Sequence, residues 1–225
     1  MADAVTVEQL YEARRSGSQM PGEVGDLELE DALGLQVQVA GRFEQAGDPV
    51  AGNKVGFTSG GSRDLMGPGF RPFGYVPKSR LLRSGDSVPF SRFLNCSVEP
   101  ELCVILGSPL RGPNATPEEA RAAVKSIAAS FEINELRVLG GRDVHRATLL
   151  ADGIGNWGIV VGDEAEPRDD LIGIAVELLR DGELVASEAS GDGGIPMDDP
   201  YVTLARGAAT LHRSGRGFEQ ESAVR

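Results

Sequence analysis

At 225 residues, the chain is long enough for one good-sized core or two small ones, and one domain fits the length better. Its 40% hydrophobic and 25% charged residues match an ordinary globular domain and exclude wholesale disorder. Against 34 Asp and Glu stand 22 Lys and Arg, and the net charge of −12 excludes a general binder of nucleic acid or anionic membrane.

Thr6-Val7-Glu8-Gln9 is a capping-box pattern that opens a short helix through Tyr11 and Ala13, closed by Gly17. The first 25 residues hold four acids and no apolar h-region, so they are no signal peptide. Nowhere does an apolar run approach the roughly 18 residues of a membrane span, and a cytoplasmic protein is expected. Asp26 is expected to cap a second helix, in which Leu29, Leu33, Val37, Ala40 and Phe43 recur at three and four up to Gly47-Asp48-Pro49. From Val50 to Leu106 short apolar runs alternate with Gly and Pro, the pattern of strands and turns. Cys96 and Cys103 lie seven apart in this stretch, on opposite faces of a strand. That favours buried structural thiols over a disulfide, a thiolate metal site or a reactive cysteine.

Thr116-Pro117-Glu118-Glu119 is a strong helix start, and the helix is expected to run to Ala129. Beyond it, 130–138, 158–161 and 171–179 read as strands, and Asp181-Gly182 as a hairpin turn returning through Leu184-Val185-Ala186. Tyr201 to Leu211 reads as a last helix. The change of texture near residue 48 divides the chain into a helical arm, 1–47, and a β-rich body, 48–225.

Glu99 and Glu101 in Val98-Glu99-Pro100-Glu101 stand at i and i+2 of a strand, so both carboxylates project from one face beside an apolar run. Glu132, in Ser130-Phe131-Glu132-Ile133, is another charge where the pattern predicts core. Hard oxygen donors of this kind suit Mg²⁺ or Mn²⁺, which would neutralise them; spacing alone leaves open that they face solvent on alternating strands. Lys54, in the Gly-bounded run Gly52-Asn53-Lys54-Val55-Gly56, either meets an oxyanion or faces water.

Gly153-Ile154-Gly155-Asn156-Trp157-Gly158 matches G-x-G-x-x-G, but it precedes a strand instead of opening a helix, which rejects a dinucleotide site. Its glycines mark either backbone crossing near a pocket, with Asp152 and Asn156 as polar contacts, or an ordinary turn. His145, in the polar segment 140–146, is either a general acid or base folded over a site or a solvated loop residue. His212 reads as surface. Two histidines without G-x-S-x-G give a serine hydrolase little support.

Lys54-Val55-Gly56-Phe57-Thr58-Ser59, Phe73-Gly74, Val98-Glu99-Pro100-Glu101, Leu110-Arg111-Gly112-Pro113, Phe131-Glu132-Ile133 and Ala151-Asp152-Gly153 occur together and in this order. The set resembles the fumarylacetoacetate hydrolase superfamily, and within it the branch of 2-keto-4-pentenoate hydratase and 4-oxalocrotonate decarboxylase. The resemblance runs from the N-terminal helices to about residue 215. It implies an α+β fold, a helical arm followed by a mixed β-sheet roll with a crossover helix, and a homo-oligomer. It also implies Mg²⁺ or Mn²⁺ held by Glu99, Glu101 and Glu132. A small 2-oxo or 2-hydroxydienoic acid would bind beside Lys54, with Thr58, Ser59, Asp152 and Asn156 as further contacts.

Two departures from the family pattern bear on the reaction. Where the hydratases carry paired aspartates, this chain reads Pro77-Lys78-Ser79, so Lys78, Glu135 and His145 are the candidates to replace the proton-transfer acid. The asparagine of A-D-N is Gly153, which reshapes the pocket. Relatives usually continue past the position of Arg225 into further strands, so the sheet is expected to lack its C-terminal strands. The function implied is a metal-dependent lyase of hydratase or decarboxylase type, with biosynthetic isomerisation, dehydration or cyclisation as variants. The alternatives are a C–C bond hydrolase of acylpyruvates and a non-catalytic relative serving as a partner subunit.

Overall fold

The computed structural model describes residues 5–138, 145–189 and 198–224. In helix α1, Val7–Ser16, the expected capping box forms: the Thr6 hydroxyl accepts from the Gln9 backbone N–H, and the Gln9 side chain accepts from that of Thr6. Gly17 closes the helix at φ 70°, in the left-handed region a glycine enters without a Cβ penalty. Helix α2, Leu29–Gln45, buries Leu33, Gln36, Val39, Ala40 and Phe43 along one stripe. Its cap differs from expectation: Glu28 occupies the N-cap with no side-chain bond, and Asp26 faces His145 at 3.3 Å instead.

The body is built on a seven-stranded mixed sheet. Strand β1, Val50–Val55, pairs antiparallel with β2, Phe73–Pro77, and β3, Leu81–Arg83, pairs parallel with β6, Asn156–Ala165. The long central ladder is β4, Cys96–Leu106, against β5, Val124–Glu135, and β5 also pairs with β6. The segment expected as one helix to Ala129 is shorter: α3, Pro117–Ala123, stops where Val124 turns extended at ψ 124° and takes its place in the ladder opposite Leu106. Sheet pairing here outweighs the helix propensity of the alanines at 128 and 129.

Helix α4, Arg146–Ala151, follows the polar segment and was not expected, with His145 accepting from the Ala147 N–H at its start. Strands β7, Ala175–Arg180, and β8, Glu183–Ala189, form a separate hairpin. Its turn is the expected Asp181-Gly182, both at positive φ. Helix α5, Pro200–Arg213, is capped by Asp199, whose carboxylate accepts from the N–H groups of Tyr201 and Val202.

Strand β9, Ala223–Val224, was not expected. It lies parallel to β1 and antiparallel to β4, and gives the sheet order β2-β1-β9-β4-β5-β6-β3. Gly52 makes room for it, since a Cβ there would sit 2.8 Å from the Ala223 carbonyl oxygen.

All five helices contribute to one apolar cluster, in which Leu10 and Phe43 share a core with Phe73, Val104, Leu150 and Leu204. Residues on the opposite strand faces, among them Cys103, Ile105, Ile159 and Val161, form a smaller second cluster. Cys103 is buried and Cys96 half-buried, and neither forms a disulfide among the described residues. The α+β class expected from sequence is the class observed. Among the described residues no helix is long and apolar enough to cross a membrane.

Candidate active site

A cavity of about 290 Å³ opens between the end of β1 with its following loop, the middle of β4, and the start of α5. Lys54, Thr58, Ser59, Glu99 and Glu101 line it, together with Asp198 and Thr203. Leu102, Val104, Leu204 and Val224 give it an apolar wall. Six of the residues singled out in sequence therefore belong to one place, five in the lining and Glu132 directly behind it.

Glu132 faces Glu99 across the β4–β5 ladder, and Glu101 faces Ser130 one step along. Cross-strand partners share a face, so the three carboxylates lie on one side of two neighbouring strands. Glu132 is fully buried. Its carboxylate stands 2.8 Å from the Lys54 ammonium, and Asn156 Nδ2 donates to it at 2.9 Å. Lys54 also donates to the Ile154 carbonyl at 3.3 Å and to Asn134 Oδ1 at 3.4 Å.

The donor set fits a hard divalent cation in oxygen chemistry and in placement on one face. It is not gathered into a finished cluster: among the described residues no three carboxylate, imidazole or thiolate groups stand together as a metal site. Glu132 Oε1 is engaged by Lys54 and Asn156.

The glycines of the 153–156 turn do mark backbone crossing beside the pocket. A Cβ on Gly74 would lie 2.5 Å from the Gly153 carbonyl oxygen, and one on Gly56 would lie 2.6 Å from Ile154 Cδ1. Gly153, Ile154 and Gly155 all have positive φ, at 68°, 56° and 71°. For the β-branched Ile154 that is a strained conformation, one that persists only where its surroundings hold it.

Lys78, Glu135, His145 and Asp152 are placed elsewhere. Lys78 is exposed on the short turn after β2, where its N–H donates to Pro49. His145 caps α4 and faces Asp26, while residues 139–144 of the polar segment around it lie outside the described residues. Glu135 is fully buried against Arg137 at 2.9 Å and accepts from the Leu94 N–H. Asp152 is buried between Arg137, at 2.9 Å, and Arg14. His212 is exposed, as expected.

Asp152 and Glu135 thus belong to a buried ionic network with Arg14 and Arg137, outside the cavity lining. Burial, and then the neighbouring Arg137, pull the Arg14 pKa down to about 10. Burial also works against Arg137, but Asp152 and Glu135 outweigh it and hold that guanidinium above its ordinary value.

Asp198 is a lining residue that the sequence did not single out. It accepts from Arg71 Nε at 2.6 Å and Arg206 Nη1 at 2.8 Å, and its own N–H donates to the Thr58 carbonyl. Its only local signal is the Asp198-Asp199-Pro200 helix start.

No protein-family model matches the chain. It is 29% identical over 222 residues to a 4-oxalocrotonate decarboxylase from a Pseudomonas species, covering 96% of this chain and 84% of that protein. To a 2-hydroxypent-2,4-dienoate hydratase from Pseudomonas putida it is 28% identical over 214 residues, covering 92% of this chain and 95% of the other. Its fold matches the structure of 4-oxalocrotonate decarboxylase from Pseudomonas putida G7 complexed with magnesium and adipate. The TM-score is 0.85 at 21% identity, over 97% of this chain and 83% of that one. Similarity over almost the whole sequence and a shared fold thus agree with the motifs: the chain is similar to a 4-oxalocrotonate decarboxylase and a 2-hydroxypent-2,4-dienoate hydratase, which supports the branch of the fumarylacetoacetate hydrolase superfamily that its motifs resemble.

Proposed function

We propose that the chain is a divalent-metal-dependent lyase of hydratase or decarboxylase type acting on a small 2-oxo or 2-hydroxydienoic acid. The observation that carries this reading is one cavity lined by Lys54, Glu99 and Glu101, with Glu132 ion-paired to Lys54 behind it. Glu99, Glu101 and Glu132 would hold Mg²⁺ or Mn²⁺, and a divalent ion there supplies a Lewis acid to a 2-oxo carboxylate.

Lys54 is buried and fixed by three neighbours, so its ammonium is oriented before substrate arrives and stabilises enolate charge as it develops. The Thr58 and Ser59 hydroxyls, with Asp198 and Thr203, offer polar contacts along the substrate. Asn156 acts through Glu132, which its side-chain amide orients.

Loss of CO₂ or a proton shift needs enolate stabilisation, whereas hydration also needs a group that delivers water. Lys78, Glu135 and His145 stand outside the cavity, which favours the decarboxylase over the hydratase chemistry. An acylpyruvate hydrolase would need a water-activating histidine, and neither His145 nor His212 lines the cavity.

A homo-oligomer belongs to the same reading, as does a cytoplasmic location. The β7–β8 hairpin supports the oligomer by exposing Leu179, Leu184 and Val185, because a lone two-stranded hairpin is marginal in water.

Calorimetric titration of chelator-treated protein with Mg²⁺ and Mn²⁺, with and without oxalate or pyruvate, tests the site. Binding that tightens with the 2-oxo acid analogue and is lost in Glu101→Ala is expected. Absence of metal binding under all these conditions would overturn the catalytic reading in favour of a partner-subunit role.

A further inference from the structure

We propose that Arg14, on the first helix, is a positioning residue for the cavity: by gripping the carbonyls of Asp152 and Asn156 it fixes the turn that sets Lys54 and Glu132. The inference rests on the proposed activity for the roles of those two residues, and on geometry for the rest.

Arg14 projects from α1 into the body and is 4% exposed. Its Nη1 donates to the Asp152 carbonyl, and its Nη2 donates to the Asn156 carbonyl at 3.2 Å and the Tyr75 carbonyl at 3.5 Å. One planar fork therefore spans both ends of a turn whose three inner residues all have positive φ. The turn is also anchored by Ile154 N–H to the Leu149 carbonyl at 2.8 Å and closed internally by Asn156 N–H to the Gly153 carbonyl at 3.1 Å.

Two groups leave this turn for the cavity. The Ile154 carbonyl accepts from Lys54, and the Asn156 side chain donates to Glu132. A shift of the turn thus moves the ammonium and the buried carboxylate together. Turn and fork are in close contact, since a Cβ on Gly153 would lie 3.0 Å from Arg14 Nη1. A lysine at position 14 would keep the charge but reach only one of the carbonyls.

The test compares Arg14→Lys with Leu10→Val, which thins the packing of the same helix without touching the turn. Hydrogen exchange at the amides of Ile154 and Asn156 is read beside thermal midpoint and Mn²⁺ affinity in the presence of oxalate. The expected result for Arg14→Lys is faster exchange concentrated at these amides and a fall in Mn²⁺ affinity of about tenfold, the lower end for residues that orient ligands through a neighbour. Leu10→Val should lower the thermal midpoint without either local effect. Arg14→Gln, which keeps one amide donor without the fork, should repeat the Arg14→Lys pattern and decides the matter if that variant does not fold.

Losses that follow the thermal midpoint alike in Arg14→Lys and Leu10→Val would overturn the positioning role, as would unchanged exchange in the turn. If the unaltered protein binds no Mn²⁺ with oxalate, the proposed activity fails separately. The exchange pattern then still decides whether Arg14 holds the turn.

Discussion

Arg137 and Arg80 are both buried guanidiniums, yet their partners differ in a way that sets their worth. Arg137 pairs with Glu135 and Asp152, each at 2.9 Å and each out of water. Arg80 stacks on the rings of Phe43 and Trp157 and donates to the Arg14 carbonyl, while its Nη1 has no hydrogen-bond partner among the described residues. Burial, then the like charges of Arg14 and Arg137, pull the Arg80 pKa down to about 9. Removing the charge from Arg137 takes the ionic partner from buried Glu135 and leaves Asp152 with Arg14 alone, so Arg137→Met is expected to cost about 3–5 kcal/mol in denaturant unfolding. Arg80→Met is expected to stay within about 1 kcal/mol of the parent or to stabilise it, since an apolar chain of similar size keeps the ring contacts. Tyr75 supplies a pH signature: burial raises its pKa to about 12, with Arg216 pulling the other way. A raised folded-state value means that the contribution of Tyr75 is fully present below the unfolded pKa of about 10 and is lost as pH climbs through 12. Tyr75→Phe should therefore remove about 2–3 kcal/mol of alkaline destabilisation between those limits, measured as unfolding free energy against pH. At this scale the sequence revealed Glu99, Glu101, Glu132 and Lys54, because each is a charge set into an apolar strand. It could not rank Glu135, which stands three positions beyond Glu132 and so on the opposite face of β5, where it meets Arg137. Asp198 was legible only as part of a helix start, because Arg71, which binds it, lies 127 residues away.

The element that completes the sheet is its shortest strand. The two residues of β9 bridge β1 and β4, and Val224 forms part of the cavity wall. Gly52→Ala would drive a Cβ to within 2.8 Å of the Ala223 carbonyl oxygen, a backbone atom with little room to yield, with the Cβ atoms of Ala223 and Val76 at 3.6 Å. The expected cost is about 1–3 kcal/mol in thermal or denaturant unfolding. Weaker oxalate binding should accompany it, because the same shift displaces Val224; a variant with unchanged stability would show that β9 is not fixed against β1. Elements with a strong local code were legible from sequence: the Thr6 and Thr116 capping boxes, the stripe of α2 and the Asp181-Gly182 turn. Elements whose reason lies in their neighbours were not. Strand β9 and the six-residue α4 are too short to show a period, and α3 ends early because β4 claims Val124.

Across the whole molecule, the change of texture at residue 48 does not coincide with a break in the core. Leu10 and Phe43 from the first two helices belong to the same apolar cluster as Phe73, Tyr75 and Val104 of the sheet. The Arg14 guanidinium crosses the same boundary to the 152–156 carbonyls, and Gln36 donates to the carbonyls of Phe73 and Leu150. An arm held by shared core and buried polar contacts would expose unpaired carbonyls on both sides if it left alone, a cost that couples its unfolding to that of the body. Trp157, the single tryptophan, is buried in β6 beside Phe93 and reports on the body, whereas far-UV circular dichroism is weighted towards the helices, of which α1 and α2 hold 10 and 17 residues. Guanidinium titrations followed by the two signals are expected to give one coincident midpoint. A helical transition that precedes the loss of native tryptophan emission would mean that residues 1–47 dock as a separate unit, and that Arg14 reaches the cavity only while the arm is closed.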